Sequence, residues 1–218
     1  MGKHEDQRAA LVGQLAQSVL AAGLGQTSLR QLAAAVGTSD RMLLYYFRDK
    51  AELLEAVLGQ IAGEMTLRLS AALPDGQQFA PAQLYACVAE LAASAELRPY
   101  MDRWGEMAAA AARQEQPFAA IADAITQGFQ LWVESRLAIT DDAQRRDMAS
   151  LLIVMIDGGA LLEPLDGGRV TARARRAMQT LLEATSGTGP DPKTSPGCRR
   201  PRTSGRSAPQ RAYRTYRR

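Results

Sequence analysis

The stretch Thr27 to Leu53, TSLRQLAAAVGTSDRMLLYYFRDKAEL, decides the fold. Ser28 to Ala35 reads as a short helix with Leu32 and Ala33 on its buried face. It runs into Val36-Gly37-Thr38, and a second short helix starts near Ser39 and ends around Tyr46-Phe47. Gly37 is the hinge. It takes the positive φ that closes a helix, where a residue with a Cβ is strained. Thr38 and Ser39 each carry a hydroxyl able to cap the next helix by accepting from its free N–H groups. Two helices joined by a tight turn containing Gly form a helix-turn-helix, the unit that sets its second helix in the major groove of DNA.

On the N-terminal side, Leu11, Leu15, Val19 and Leu20 repeat at helical spacing between His4 and Ala22, and Gly23 and Gly25 stop that helix. On the C-terminal side, Asp49 with Glu52 gives a start that resembles a capping box. Leu54, Val57, Leu58, Ile61, Met65 and Leu69 form the stripe of a long fourth helix, which Pro74-Asp75-Gly76 ends. Further helices are expected from Pro81 to Ala95, Pro99 to Arg113, Pro117 to Leu137, Asp141 to Leu162, and after Gly167-Gly168 as far as Ala184. The chain therefore reads as all-α. Residues 1–48 are the expected helix-turn-helix head, 49–185 a helical body and 186–218 a tail, with the fourth helix linking head to body.

Aromatic residues make up only 6% of the 218 residues, which suits an all-helical chain. No run of about 18 apolar residues offers a membrane span. The polar start MGKHEDQRAA is not a secretory signal. Cys87 sits in an apolar helix and Cys198 in the tail, so no structural disulfide is expected and a reducing cytoplasm fits.

The net charge of +3 hides a split. Residues 186–218 hold nine of the 26 basic residues and one of the 23 acids. Residues 1–50 hold six basic and four acidic residues, which leaves eleven basic and eighteen acidic, a net of −7, for residues 51–185. A mildly positive head on an acidic body suits a protein that docks one end on DNA. The tail is rich in Ser, Gly, Pro, Thr and Arg, and its composition predicts disorder.

At Thr27, Leu32-Ala33, Val36-Gly37-Thr38-Ser39, Leu43, Tyr45-Tyr46-Phe47, Lys50 and Leu53 the chain resembles the tetracycline-repressor (TetR) family of bacterial transcription regulators. The aromatic run followed by Asp49-Lys50 and a long amphipathic helix is the specific part, and the likeness covers roughly Ala9 to Leu58. Family members usually carry Gly or a small residue where Arg41 stands, Thr or Ser at Met42, and Tyr at Leu44. The resemblance implies nine helices, a three-helix DNA-binding head and a C-terminal ligand-binding and dimerisation domain.

Base-reading candidates on the second helix are Asp40, Arg41, Met42, and Leu44 or Tyr45. Arg41 is the best placed, since a guanidinium pairs with guanine O6 and N7 in a fork. Asp40 either accepts from a cytosine amino group or only favours the helix N-terminus through its dipole. Met42 either touches a thymine methyl group or packs. Thr27, Ser28, Thr38, Ser39, Tyr45 and Lys50 are the phosphate-contact candidates, at positions that match those holding the DNA backbone in the family. Phe47 is read as core, and Tyr46 as locking the second helix in place.

In the family the body encloses an inducer pocket. Tyr85, Tyr100, Trp104, Met107, Phe129 and Trp132 are the candidates to line it, with plain packing as the other reading of each. The run SLLIVMIDGGALL, Ser150 to Leu162, with Met178, Leu181 and Leu182, is the expected homodimer seam. No catalytic residue, metal ligand or cofactor site is expected. His4 is the lone histidine and lies at the frayed N-terminus, and Asp157 and Glu163 read as solvated helix acids. The expected partners are double-stranded DNA with a palindromic operator, a small-molecule inducer and a second copy of the chain, with no membrane. Two other readings stay open: a helical partner-binding protein without DNA function, and a small helical enzyme.

Overall fold

The structure, a computed structural model, describes residues 2–74, 76–165 and 167–185. The tail expected from Ser186 to Arg218, Cys198 with it, lies outside the described residues. Nine α-helices stand among those described: α1 Lys3–Ala22, α2 Leu29–Ala35, α3 Asp40–Tyr46, α4 Lys50–Ala72, α5 Pro81–Ala92, α6 Arg98–Ala112, α7 Phe118–Arg136, α8 Asp142–Leu162 and α9 Arg169–Thr185.

Local chemistry sets the helix starts. Ser28 and Gln31 form a reciprocal capping box on α2. Ser39 caps α3 through the Met42 N–H, and Asp141 caps α8 through the Gln144 N–H. Thr38, expected as a second cap, acts through its main chain instead. Its N–H donates to Ala33 O at 2.9 Å and the Gly37 N–H donates to Ala34 O, with Gly37 at φ +67°. That pair of bonds is a Schellman closure, and the left-handed residue it needs is Gly37. Asp49 accepts from the Glu52 N–H at 2.8 Å, but Glu52 returns its carboxylate to the Arg48 N–H rather than to the cap residue.

The tertiary layout follows the apolar stripes. Helix α1 packs along α4, with α2 against α1 and α3. In the body, α6 packs on α7, α5 on α8 and α9, and α7 on α8 and α4. One contiguous core joins Leu15, Val19, Leu43 and Phe47 of the head to Leu53, Leu54, Val57 and Leu58 of α4, and onward to Leu84, Val88 and Leu152. A feature absent from any local pattern is a bridge between linkers. The Phe79 N–H donates to Arg136 O at 2.7 Å and the Ala138 N–H to Phe79 O at 2.9 Å.

The seam expected on α8 and α9 divides. Leu152 and Leu182 are buried in the core of the single chain, whereas Leu151, Val154, Leu161, Leu162 and Leu181 face outward, Val154 at 69% exposure. The outward set recurs every three or four residues along α8, so it forms one stripe, with the half-buried Gly158 in the middle.

Two glycines carry the turns around the head, and they differ in surroundings. A Cβ on Gly37 meets open space, so Gly37→Ala adds backbone strain alone, about 1–2 kcal/mol. Gly23 has φ +84°, and a Cβ there lies 3.2 Å from both carboxylate oxygens of Glu106. Urea unfolding is expected to show both variants destabilised, Gly23→Ala the more so. The reverse order would contradict the contact between Gly23 and Glu106.

Candidate nucleic-acid interface and body cavity

Helix α3 rests on Leu43 and on Phe47, the residue just past its end; both are fully buried. The opposite face then presents Asp40, Arg41, Leu44 and Tyr45, all exposed, with Met42 exposed on the flank. Arg41 makes no ion pair among the described residues. Its guanidinium is therefore free to meet an outside acceptor.

The face is held by packing against α1. The Arg8 guanidinium lies 4.6 Å from the Phe47 ring centre, donates to Tyr46 O, and pairs with Glu52 at 3.1 Å. The Tyr46 hydroxyl donates to Gln7 Oε1 at 2.9 Å. His4, read from sequence as lying at a frayed end, instead packs against the rings of Tyr45 and Tyr46 at 5.4 and 4.9 Å. Tyr45 stays 65% exposed and meets Tyr46 edge-on, which leaves its hydroxyl outward of the cluster.

The phosphate-contact candidates separate by exposure. Ser28, Ser39 and Lys50 are exposed, and Lys50 makes no ion pair among the described residues. Ser39 accepts from the Met42 N–H, so its own hydroxyl hydrogen remains available. Thr38 is half-buried. Thr27 is buried, and its hydroxyl donates to Leu24 O at 3.0 Å. Thr27 therefore closes the turn ahead of α2, and its side chain does not reach the surface where a phosphate would lie. Arg30, exposed on α2 without an ion pair among the described residues, is a cation that the sequence reading passed over. Next to Lys50, the Glu52 N–H and then the Arg48 guanidinium hold the Asp49 carboxyl below its usual range.

The body holds a cavity of about 30 Å³ among α4, α5, α6, α7 and α8. That is room for roughly two water-sized groups. Met65 and Leu69 of α4, Val88 and Ala92 of α5, Met101 and Trp104 of α6, Ile125 and Phe129 of α7, and Ile153 and Ile156 of α8 wall it. Of the six expected lining residues, Trp104 and Phe129 are there. The other four pack elsewhere, because each sits on a neighbouring face of its helix. The Tyr100 hydroxyl accepts from Arg68 and donates to Glu64. Trp132 stacks on the far side of Phe129 and donates its indole N–H to Ser70 at 2.9 Å. Met107 is buried in the core beyond the cavity, and Tyr85 lies toward α9 beside Arg175.

One charged group lines the cavity, and it is a residue read from sequence as a solvated acid. Asp157 accepts the Trp104 indole N–H at 3.0 Å. Burial pushes its carboxyl up to about 6, opposed by that hydrogen bond. A signal was present in the sequence: a lone acid inside an otherwise apolar helix run is seldom there for solubility.

Outside the cavity, an open groove of about 1180 Å³ runs between α4 and α7, floored by small residues such as Gly59, Gly63, Ala124 and Gly128. Met65, Ile125 and Phe129 border both spaces. Helix α6 also grips the head. Arg103 donates to Leu20 O at 2.8 Å and pairs with Glu106 at 2.7 Å, while Glu106 accepts the Leu24 N–H at 2.6 Å. Among the described residues, no three His, Cys, Asp or Glu side chains gather as metal ligands, and no helix is long and apolar enough to cross a membrane.

Asp157 makes stability depend on pH with a definite sign. Its folded-state value, about 6, lies above its ordinary 3.8, so the folded chain binds the extra proton. Stability is therefore lost as pH rises from 3.8 through about 6. Asp157→Asn removes this dependence and keeps an oxygen for Trp104. The variant is expected to be more stable than the parent by roughly 2 kcal/mol at alkaline pH, with the gap closing toward pH 3.8. Denaturation at a series of pH values measures it, and a constant gap would exclude the assignment.

Residues 16–57 match the family described as "Bacterial regulatory proteins, tetR family". No curated protein matches the chain. Several solved structures do. A transcriptional regulator from Rhodococcus sp. Rha1 is 19% identical, with a TM-score of 0.62 over 84% of this chain and 97% of that one. A TetR-family regulator from Cytophaga hutchinsonii is 13% identical, with a TM-score of 0.67 over 84% of this chain and 96% of that one. The multidrug binding protein EbrR, complexed with imidazole, is 22% identical, with a TM-score of 0.58 over 83% and 90%. Residues 16–57 thus match the tetR family of bacterial regulatory proteins, and the chain has the all-helical fold of solved transcriptional regulators, a TetR-family one among them.

Proposed function

We propose that the chain is a sequence-specific DNA-binding transcription regulator, a repressor that a small apolar ligand releases from a palindromic operator. Residues 1–48 read the DNA, and residues 49–185 bind the ligand and pair two copies of the chain. Action on DNA puts it in the bacterial cytoplasm, with binding rather than catalysis as its work.

The observation that carries this reading is the double role of α4. Its first residue, Lys50, is exposed just past the end of α3, and Met65 and Leu69 wall the cavity. A ligand larger than roughly two water-sized groups has to spread these helices to enter. Displacing α4 tilts the head it carries. Helix α6 supplies a second lever, since Trp104 faces the cavity while Arg103 and Glu106 grip the end of α1. In a two-fold dimer the two reading helices have to span successive major grooves, about 34–36 Å apart, and either lever changes that span. The ligand held by EbrR supports a ligand-binding role for the same fold.

Selection of bound genomic fragments followed by footprinting tests the reading directly. On the selected site, Arg41→Ala is expected to weaken binding by about 1–3 kcal/mol and to relax preference at one base position. Lys50→Ala is expected to weaken cognate and scrambled DNA alike and to lower the salt slope by about one. Equal fractional loss on both DNAs for Arg41→Ala would remove Arg41 from the reading face. Failure to select any fragment would leave the helical partner-binding reading in its place.

The dimer is expected to form through the outward stripe of α8 with α9. Changing Val154 and Leu161 to Glu puts charges on that stripe without touching the core and should yield folded monomers that bind the operator weakly. Sedimentation decides, and a parent chain that is monomeric at micromolar concentration defeats the model.

A further inference from the structure

We propose that the body cavity is a site for an organic ammonium ion with an apolar tail, its charged head held by Asp157 beside Trp104. The proposal rests on the reading above, in which this cavity is the ligand site, and it adds the chemical class of the ligand.

Among the described residues, two polar side chains line the cavity, Thr126 and Asp157, and one of them is available. The Thr126 hydroxyl already donates to Ala122 O at 2.8 Å. Asp157 accepts one hydrogen bond, on Oδ2 from the Trp104 indole; Oδ1 accepts none among the described residues. No cation among the described residues balances it. Arg98 pairs with Asp102, Arg103 with Glu106, Arg68 with Glu96 and Arg175 with Glu163. A partly buried carboxylate without a counter-ion is unfavourable, and an entering cation reverses that penalty. A primary ammonium adds N–H donors for Oδ1 and a charge for the ring faces of Trp104 and Phe129. An anion is repelled there, and an uncharged ligand leaves the carboxylate without a counter-ion.

Size and access point the same way. The space beside Asp157, about 30 Å³, takes an ammonium head and little more. Met65, Ile125 and Phe129 separate it from the groove between α4 and α7, so a tail follows the head out past these three apolar side chains. The groove also carries Arg8 paired with Glu52, and Glu55, which makes no ion pair among the described residues and leaves the groove one acid in excess. With residues 51–185 at a net of −7, the approach favours a cation.

The test uses three probes on one skeleton: phenylpropylammonium, phenylpropanol and phenylpropionate, titrated calorimetrically into the full chain. The ammonium is expected to bind at least about tenfold more tightly than the alcohol, and the carboxylate not at all. Asp157→Asn should bring ammonium and alcohol to within about twofold of each other by weakening the ammonium, with the alcohol's own affinity retained as proof that the site is intact. Trp104→Phe should weaken the ammonium less than Asp157→Asn does. Alcohol binding as tight as the ammonium, an unchanged ratio in Asp157→Asn, or no ammonium binding up to about 10 mM each overturn the proposal. DNA release is measured separately on the footprinted fragment. Ammonium that binds through Asp157 without loosening DNA defeats the release reading and leaves this site standing. Release by a ligand of another class, indifferent to Asp157, does the reverse.

Discussion

Leu53, Leu54, Val57 and Leu58 of α4 are buried with the head, and Leu69 of the same helix is buried with the body. Fully burying side chains of this size is worth about 1.5–3 kcal/mol each, so the helix is tied to both ends by a sum on the order of 10 kcal/mol. That is comparable to the whole stability of an ordinary domain. Helix α4 therefore does not detach from either core under a modest perturbation. In the proposed release it would move as a rod, so that a shift at one end reaches the other. The grip of α6 on Leu20 and Leu24 adds a polar tie in parallel, made of directional bonds that a small displacement breaks or spares as a set.

The proposed DNA face and the proposed ligand site are built by opposite means. The face of α3 is an exposed surface with its support hidden. Leu43 and Phe47 sink into the core, Arg8 lies over Phe47, and Tyr46 is tied to Gln7, so the orientation of Arg41, Leu44 and Tyr45 follows from contacts on the far side of the helix. The cavity is an interior with a polar group left in it. A well-packed core would have an apolar residue at Asp157, and the carboxyl there is a loss of stability that the proposed cation would offset. In the proposed reading, rigidity serves recognition of DNA at one end, and a small unfilled space serves response to a ligand at the other.

Much of the head was legible because its determinants are local. Gly37 was read as the left-handed closure of α2, and Ser39 and Asp49 as caps, from residues no more than three positions away, and their geometry agrees. The stripe of α4 followed from spacing, and the body helices from their Pro, Asp and Gly boundary signals. What failed was anything decided by a partner distant in sequence. Thr27 was read as a surface donor and is buried. Leu152 was read as part of the seam and is core. His4 was read as frayed and joins the rings of Tyr45 and Tyr46.

The sequence by itself determined that the chain is helical, where its helices begin, that Gly37 makes the turn, and that the head resembles that of TetR-family regulators. These depend on hydrogen bonds and dihedral angles within a few residues, and a string of letters contains them. Only the tertiary structure decided which aromatic residues meet at the cavity, that Asp157 stands in it beside Trp104, and that α6 holds the head through Arg103 and Glu106. A helix presents a new face every residue, about 100° apart, so a shift of one position moves a side chain from cavity to core. Which face meets which neighbour is set by the packing of all the helices together, and no single stretch of the chain contains that information.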